Sequence, residues 1–300
     1  MLTAPWAGFL FASTSHSLEK IFFSYVYPVL FHAGPIVVPS YGVMAALGVL
    51  LALALLLRTA RLVGLNPNPL WNLSIVALFA ALVGSRVVLL ALNWSVVRTH
   101  PAWLLGLAIV HHPLVTGIGA FFAIAAATPY VRMQHLPLRP TLDALAAPAA
   151  LALSCEQLGA LLSGSGYGTE TTVRWAIVYT HPLASVWSGA PLFVPVHPVQ
   201  GYAALAFLLI AIGLCFWMPY GRQTGEIAGA ATLAIGAAIY FTEFFRDPEG
   251  RGSIFHGAID GPQLASVILV FLGAFLLLDR SKVHSPAAVD SASGVEVTHE

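Results

Sequence analysis

Arg86, Glu156 and Glu243 each fall within or at the edge of a long apolar run. A charge at the centre of a membrane helix costs about 2.5–3.5 kcal/mol on insertion scales, so each of the three is a functional candidate by default. For any one of them, an interhelical ion pair or a hydrogen-bonded carboxylate weighs as much as a role in chemistry. Arg246 follows Glu243 by three residues in the stretch EFFRDPEGRG, which puts the two on one helix face. A guanidinium stays ionised and offers a planar fork of donors that matches phosphate, so Arg86 and Arg246 together would make a cationic pocket for a lipid phosphate. Proton transfer near neutral pH falls to His111, His112 and His197. The adjacent pair reads first as interfacial aromatics at a helix break. His197 is more suggestive, because Pro198 fixes the backbone beside it and Gln200 and Tyr202 follow. Glu226 and Asp143 sit near predicted helix ends, where they can reach water, and read as structural. No His-Glu-x-x-His or equivalent spacing occurs, so neither a metal site nor a cofactor is expected. Cys155 and Cys215 read as small core residues.

The elements that must position these groups follow from composition. The 300 residues are 58% hydrophobic and only 9% charged, against about a quarter charged in soluble domains. This is an integral membrane protein. Thirteen Lys plus Arg balance thirteen Asp plus Glu, which leaves no global field to gather a polyanion and excludes nucleic acid as an expected partner. A bilayer core takes about 20 apolar residues per helix. That ruler gives an all-α fold of about seven transmembrane helices: Tyr41 to Leu57, Leu73 to Leu92, Trp103 to Ala127, Thr141 to Leu162, Val199 to Trp217, Glu226 to Phe245 and Gln263 to Leu278. The first ends at Arg58, and the third reads as broken by His111, His112 and Pro113 and loosened by Gly117 and Gly119. Ile21 to His32 is apolar and aromatic but too short to span, and reads as an N-terminal interfacial segment.

Residues 1–280 form a single polytopic membrane domain on this reading, and 281–300 a polar, disordered tail. Arg58, Arg61, Arg132, Arg139, Arg222, Arg280 and Lys282 fall on one side, against Lys20, Arg98, Arg174, Arg246 and Arg251 on the other. The positive-inside rule places the N-terminus outside and the C-terminus in the cytoplasm. A long outer loop, about 163–197, joins the fourth and fifth spans. Long ordered loops of this kind carry function more often than they act as spacers. Its opening SGSGYGTETT is a glycine-rich turn that could bring backbone amides together around an anion.

Scattered pieces of the chain together resemble the prolipoprotein diacylglyceryl transferase family of bacterial inner-membrane enzymes. Gly34-Pro35 followed by Ser40-Tyr41-Gly42 resembles the family's opening "G-P … YG", and Gly84-Ser85-Arg86 resembles its "G-A-R". Asp143, Pro148 and the stretch CEQLGALLSGSGYGTETTVRWAIVY resemble the signature "D…P…GRIGNFINGE.YG.PT..PWG..FP". HPVQGY at 197–202 resembles "HPSQLYE", FTEFFRDPEGRG resembles "RF..EFFR.D..G", and DGPQLAS at 260–266 resembles the closing "Q..S" element. Gln157 stands where the signature has arginine and Ala160 where it has asparagine. Ile239 replaces an arginine four residues before the matched glutamate, Ala203 replaces the acidic end of "QLYE", and Thr116 or Gly117 occupies the place of the histidine in "H-G-G".

The resemblance implies transfer of the diacylglyceryl group of phosphatidylglycerol to the lipobox cysteine thiol of a preprolipoprotein, at the outer face of the bacterial cytoplasmic membrane, with release of glycerol phosphate. In that scheme Arg86 and Arg246 bind phosphate, Glu243 orients an arginine or the glycerol head group, and His197 is a candidate proton acceptor. Gln157 and Gln200 belong to the substrate site, Gly164, Tyr167 and Gly168 shape the outer loop, and Tyr41 lines the lipid entrance. The expected partners are phosphatidylglycerol, the signal peptide of the preprolipoprotein and the bilayer. Two other readings compete: a lipid-binding or scaffolding protein that kept the fold and lost the chemistry, and, behind it, a small transporter.

Overall fold

The computed structural model describes residues 26–33, 36–99, 113–221, 223–247 and 261–278. The described part opens with a two-stranded antiparallel hairpin, β1 (Val29–Ala33) and β2 (Ile36–Pro39), in which Phe31 faces Val38. This hairpin is what the predicted interfacial segment becomes where it is described; residues 21–25, with Tyr25, lie outside the described residues. Helix α1 (Ser40–Leu62) starts directly from β2, with the Ser40 amide donating to the Pro28 carbonyl at 2.9 Å. It does not stop at Arg58 as expected. It continues to Leu62 with Arg61 in its last turn, where a cation meets the negative end of the helix dipole favourably.

Helix α2 (Pro67–Leu92) begins six residues before the predicted Leu73, because Asn66 caps it: the Asn66 side chain accepts the Asn68 amide at 3.1 Å. Pro67 occupies the first helical position, where its missing N–H costs nothing. A short α3 (Trp94–Thr99) follows. The predicted third span is described only from Pro113 onward, and it runs past the expected Ala127 to Met133. Residues 100–112, including Trp103, His111 and His112, lie outside the described residues, and α4 (Pro113–Met133) runs unbroken through Gly117 and Gly119. Pro113 stands in the first described turn of this helix, and the break expected at His111 and His112 lies outside the described residues. Gly84 of α2 lets the Phe122 ring of α4 pack against its backbone; a side chain there would collide with the ring.

Helix α5 (Leu138–Ser163) is the central element and packs against α1, α7 (Val199–Trp217) and α8 (Glu226–Glu243). Its inward face is small, with Ala144, Ala147, Ala150 and Gly159 among its buried residues, and small residues let membrane helices approach closely. Pro148 is accommodated inside it. Helix α9 (Gly261–Leu278) lies along α8 through a seam of Gly229, Gly236 and Gly273.

Among the described residues six helices are long and apolar enough to cross a bilayer: Ser40–Leu62, Pro67–Leu92, Val115–Met133, Leu138–Ser163, Val199–Tyr220 and Gly261–Leu278. The remaining predicted span exists as the helix α8, which carries a glutamate at each end and is not among these six. Leu50, Phe79, Ile124 and Phe271 are exposed on these helices, as lipid-facing residues must be. The loop between α5 and α7 folds over a small core that it shares with Val26. It contains β3 (Ile177–Val178) paired with β4 (Pro195–Val196) and a short α6 (Pro182–Ser188). Val26, Tyr167, Ile177, Tyr179, Ala184, Ala190 and Val196 bury one another there.

Candidate active site

The start of α1 and the last turns of α5 meet, and the meeting point is polar. The Tyr41 hydroxyl donates to Glu156 Oε1 at 2.9 Å, and Gln157 Nε2 donates to Glu156 Oε2 at 2.7 Å. This contact is possible because Gly159 lies against Tyr41 and Met44 of α1; a Cβ there would approach the Tyr41 carbonyl at 3.2 Å. A carboxylate among apolar helices is costly unless donors surround it. Glu156 has one on each oxygen.

Arg246 closes the same end of the bundle from just beyond α8. Its Nε donates to Glu243 Oε1 at 2.9 Å, and its Nη1 donates to the Gly166 carbonyl at 2.9 Å. Glu243 is almost fully buried and Arg246 largely so. The chain after α8 is tied to the glycine-rich turn by backbone contacts as well: Thr169 N to Phe245 O at 2.9 Å, Asp247 N to Tyr167 O at 3.1 Å, and a bridge between Gly168 and Arg246. Gly166 has φ +66° and lies against the guanidinium, so a side chain there would both strain the backbone and displace Arg246. The turn therefore presents carbonyls to side chains here: Gly166 to Arg246, and Ser165 to Gln200 Nε2 at 2.7 Å.

Electrostatics joins these pieces. The Arg246 charge acts on Glu156, and the Arg86 charge acts on Tyr41. Arg86 Nη1 is buried and has no hydrogen-bond partner among the described residues, and the same is true of Gln157 Oε1 and Gln200 Oε1. Buried polar atoms normally find partners, so an orphaned guanidinium nitrogen beside a polar cluster marks a place for an acceptor. Among the described residues no three His, Cys, Asp or Glu side chains gather as a metal centre.

The predicted site residues separate into a centre and a wall. Tyr41, Arg86, Gln157, Glu243 and Arg246 belong to the centre. Gly164 ends α5 with φ +81°, packed against Ala184 and Ala190, while Tyr167 is buried in the loop core. Gln200 is fully buried against the turn. Gly168 permits the loop to touch the backbone of His197; a side chain there would meet the His197 carbonyl. His197 itself stands in an aromatic group, its ring 5.3 Å from that of Phe245 and its Nδ1 3.3 Å from the Tyr202 hydroxyl, which also accepts Trp175 Nε1 at 2.7 Å. No described contact links it to Glu156 or the arginines. Below it, burial pushes the Tyr179 hydroxyl well above its usual range. Its hydroxyl donates to the Leu161 carbonyl at 3.3 Å, as a neutral phenol should.

Sequence reasoning named Glu156 as a candidate without its partner, and left two further participants out of the site. Glu156 was visible as a charge at membrane depth, but its partner Tyr41 is 115 residues away in the chain. Trp175 and the Gly166 carbonyl carry no sequence signal of their roles.

Comparison with known proteins covers nearly all of this architecture. Residues 28–278 match the family model of prolipoprotein diacylglyceryl transferase. The chain is similar to the phosphatidylglycerol-prolipoprotein diacylglyceryl transferase 2 of Clostridium perfringens, with 26% identity over 247 residues, 81% of this chain and 91% of the relative. It is 28% identical over 273 residues to the phosphatidylglycerol-prolipoprotein diacylglyceryl transferase of Geobacter sulfurreducens, covering 87% and 98% of the two chains. The Vibrio cholerae enzyme of the same name is 26% identical over 259 residues, 84% of this chain and 90% of the relative. The matched span runs from the hairpin to the end of α9 and so contains every centre and wall residue above, which places this chain in the prolipoprotein diacylglyceryl transferase family.

Proposed function

We propose that this protein transfers the diacylglyceryl group of phosphatidylglycerol to the lipobox cysteine thiol of a preprolipoprotein, releasing glycerol phosphate. The sulfur attacks the glycerol carbon, and the bond from that carbon to the phosphate oxygen breaks. The observation that carries this reading is the buried Arg86 Nη1, without a partner among the described residues and close enough to Tyr41 for its charge to be felt there. A phosphate oxygen satisfies such a donor through a charge-assisted bond and gains stabilisation as the leaving group takes on negative charge. Arg246, fixed by Glu243 and Gly166, supplies the second positive charge. Tyr41 borders the lipid entrance, and Gly164, Tyr167, Gly168, Gln200 and His197 form the wall toward the peptide. In this reading α8 is a seventh span. The N-terminus, the folded loop 164–198 and the site then face outward, and the C-terminus lies in the cytoplasm of a bacterium.

The test is direct. Purified protein in phosphatidylglycerol vesicles lipidates a lipobox peptide and releases an equal amount of glycerol phosphate, and Arg86→Ala abolishes both. Absence of both products, under conditions where a characterised family member works, overturns the proposal. Lipid binding without turnover is the second reading. It is favoured by the commitment of Arg246 to Glu243 and Gly166 and by the uncharged residues at 157 and 239. Under it, Arg86→Ala weakens phosphatidylglycerol binding and no lipidated peptide forms with the unaltered protein.

A further inference from the structure

We infer that Glu156 accepts the thiol proton during transfer, with Tyr41 and Gln157 holding its carboxylate; the inference rests on the transfer reaction proposed above. Three groups at this end of the bundle could act as the base. Glu243 is committed: its Oε1 takes Arg246 Nε at 2.9 Å, and it is almost fully buried. Protonating it would break an ion pair that also anchors the loop through Gly166. His197 faces Tyr202 and Phe245, and its Nδ1 is already matched by a hydroxyl that a tryptophan holds in place.

Glu156 is different in each respect. Its two oxygens accept from neutral donors, Tyr41 Oη at 2.9 Å and Gln157 Nε2 at 2.7 Å. Each carboxylate oxygen has a second lone pair, so another donor can approach without displacing either partner. The residue as a whole is less buried than Glu243, and its carboxylate lies at the contact of α1 and α5. The neutral amide at 157 matters as well. An arginine there, as in the family signature, would bind the ionised form tightly and weaken its basicity, whereas glutamine positions the carboxylate without adding charge. Positive charge is still within reach, from Arg246 acting on Glu156 and Arg86 acting on Tyr41.

The step balances. The S–H bond breaks and the proton passes to a Glu156 oxygen. The sulfur lone pair forms the S–C bond as the C–O bond breaks. The electron pair leaves on the phosphate oxygen of glycerol phosphate, toward Arg86. The proton then passes from Glu156 to the departing phosphate or to water, which restores the carboxylate.

The experiment compares two lipobox peptides, one with cysteine and one with selenocysteine, whose selenol is already ionised at neutral pH and needs no base. Both are assayed in phosphatidylglycerol vesicles with the unaltered protein, Glu156→Gln and Glu156→Asp. Glu156→Gln is expected to slow the cysteine peptide by roughly 10²–10⁴-fold, the usual contribution of a positioned base. It should restore most of the rate with selenocysteine and leave phosphatidylglycerol binding unchanged. Glu156→Asp, with the carboxylate set back, lies between and reads the same ratio should the glutamine variant fail to assemble. Equal loss on both peptides, or no loss on cysteine, overturns the role of Glu156 while leaving the transferase reading intact. Failure of the unaltered protein on both peptides overturns the transferase reading, and this role with it.

Discussion

Helix α5 carries two carboxylates into the bundle, Asp143 near its start and Glu156 near its end, and they are held in different ways. Asp143 accepts backbone amides from the start of α8, Gly225 N at 2.6 Å and Ala228 N at 2.7 Å. Those amides are among the N–H groups that a helix start leaves without intrahelical partners, and a negative charge there also complements the helix dipole. Thr59 reinforces the same end, donating to the Ala144 carbonyl at 2.7 Å. Among the described residues Glu156 accepts from side chains only. A carboxylate fixed by backbone is part of the scaffold and cannot change protonation without loosening a helix. One fixed by a phenol and an amide can do so with every helix in place. The two ends of one helix thus divide the labour between holding the bundle and acting within it.

The strongest way to break that division is to remove Arg246. Arg246→Ala leaves Glu243 buried without its cation and the Gly166 carbonyl without its donor, and losing one partner of a buried pair costs about 3–5 kcal/mol. Thermal unfolding in detergent should fall accordingly, and turnover should vanish. Arg246→Lys keeps the charge but not the planar fork, so it should recover stability better than activity.

At the scaffold end, Asp143→Asn replaces an ionised acceptor with a neutral one that has a single carbonyl oxygen for two amides. The expected loss is about 1.5–3 kcal/mol, typical of hydrogen bonds to charged groups. It should appear as a lower unfolding temperature and less protein in the membrane, with turnover per folded molecule unchanged. Turnover lost at full stability would make the two ends equivalent.

The helices were legible because lipid imposes its own ruler. Val199–Trp217 begins and ends where its apolar run does. Boundaries slipped where a cap or a cation overrode hydropathy, at Asn66, which starts α2 early, and at Arg58, which α1 passes through. The hairpin at 29–39 escaped because a short apolar and aromatic run suits an interfacial segment as well as a strand pair. In the site, the charges at membrane depth announced themselves, since hydrocarbon makes Arg86 and Glu243 expensive wherever they stand. Their pairing did not. Neighbours in sequence such as Glu243 and Arg246 could be paired by spacing, but Tyr41 and Glu156 meet only through the packing of α1 on α5. The Gly166 carbonyl becomes a ligand for Arg246 only once the loop is folded.

The finest distinction lies within the Glu156 cluster. Tyr41→Phe and Gln157→Leu each remove one donor and keep most of the shape, so each alone should cost about 1 kcal/mol of stability or less. The partner that remains still orients the carboxylate, and the single variants should keep measurable turnover. Together they leave Glu156 among apolar side chains with no side-chain donor on either oxygen, and the double variant should lose more than the sum of the two. A coupling of about 0.5–3 kcal/mol is the range for residues sharing one network. The same cycle built at the other end, with Thr59→Val and Asp143→Asn, should be close to additive in turnover, because neither residue touches the reacting groups. Strict additivity at Glu156 would mean that Tyr41 and Gln157 do not hold one carboxylate between them.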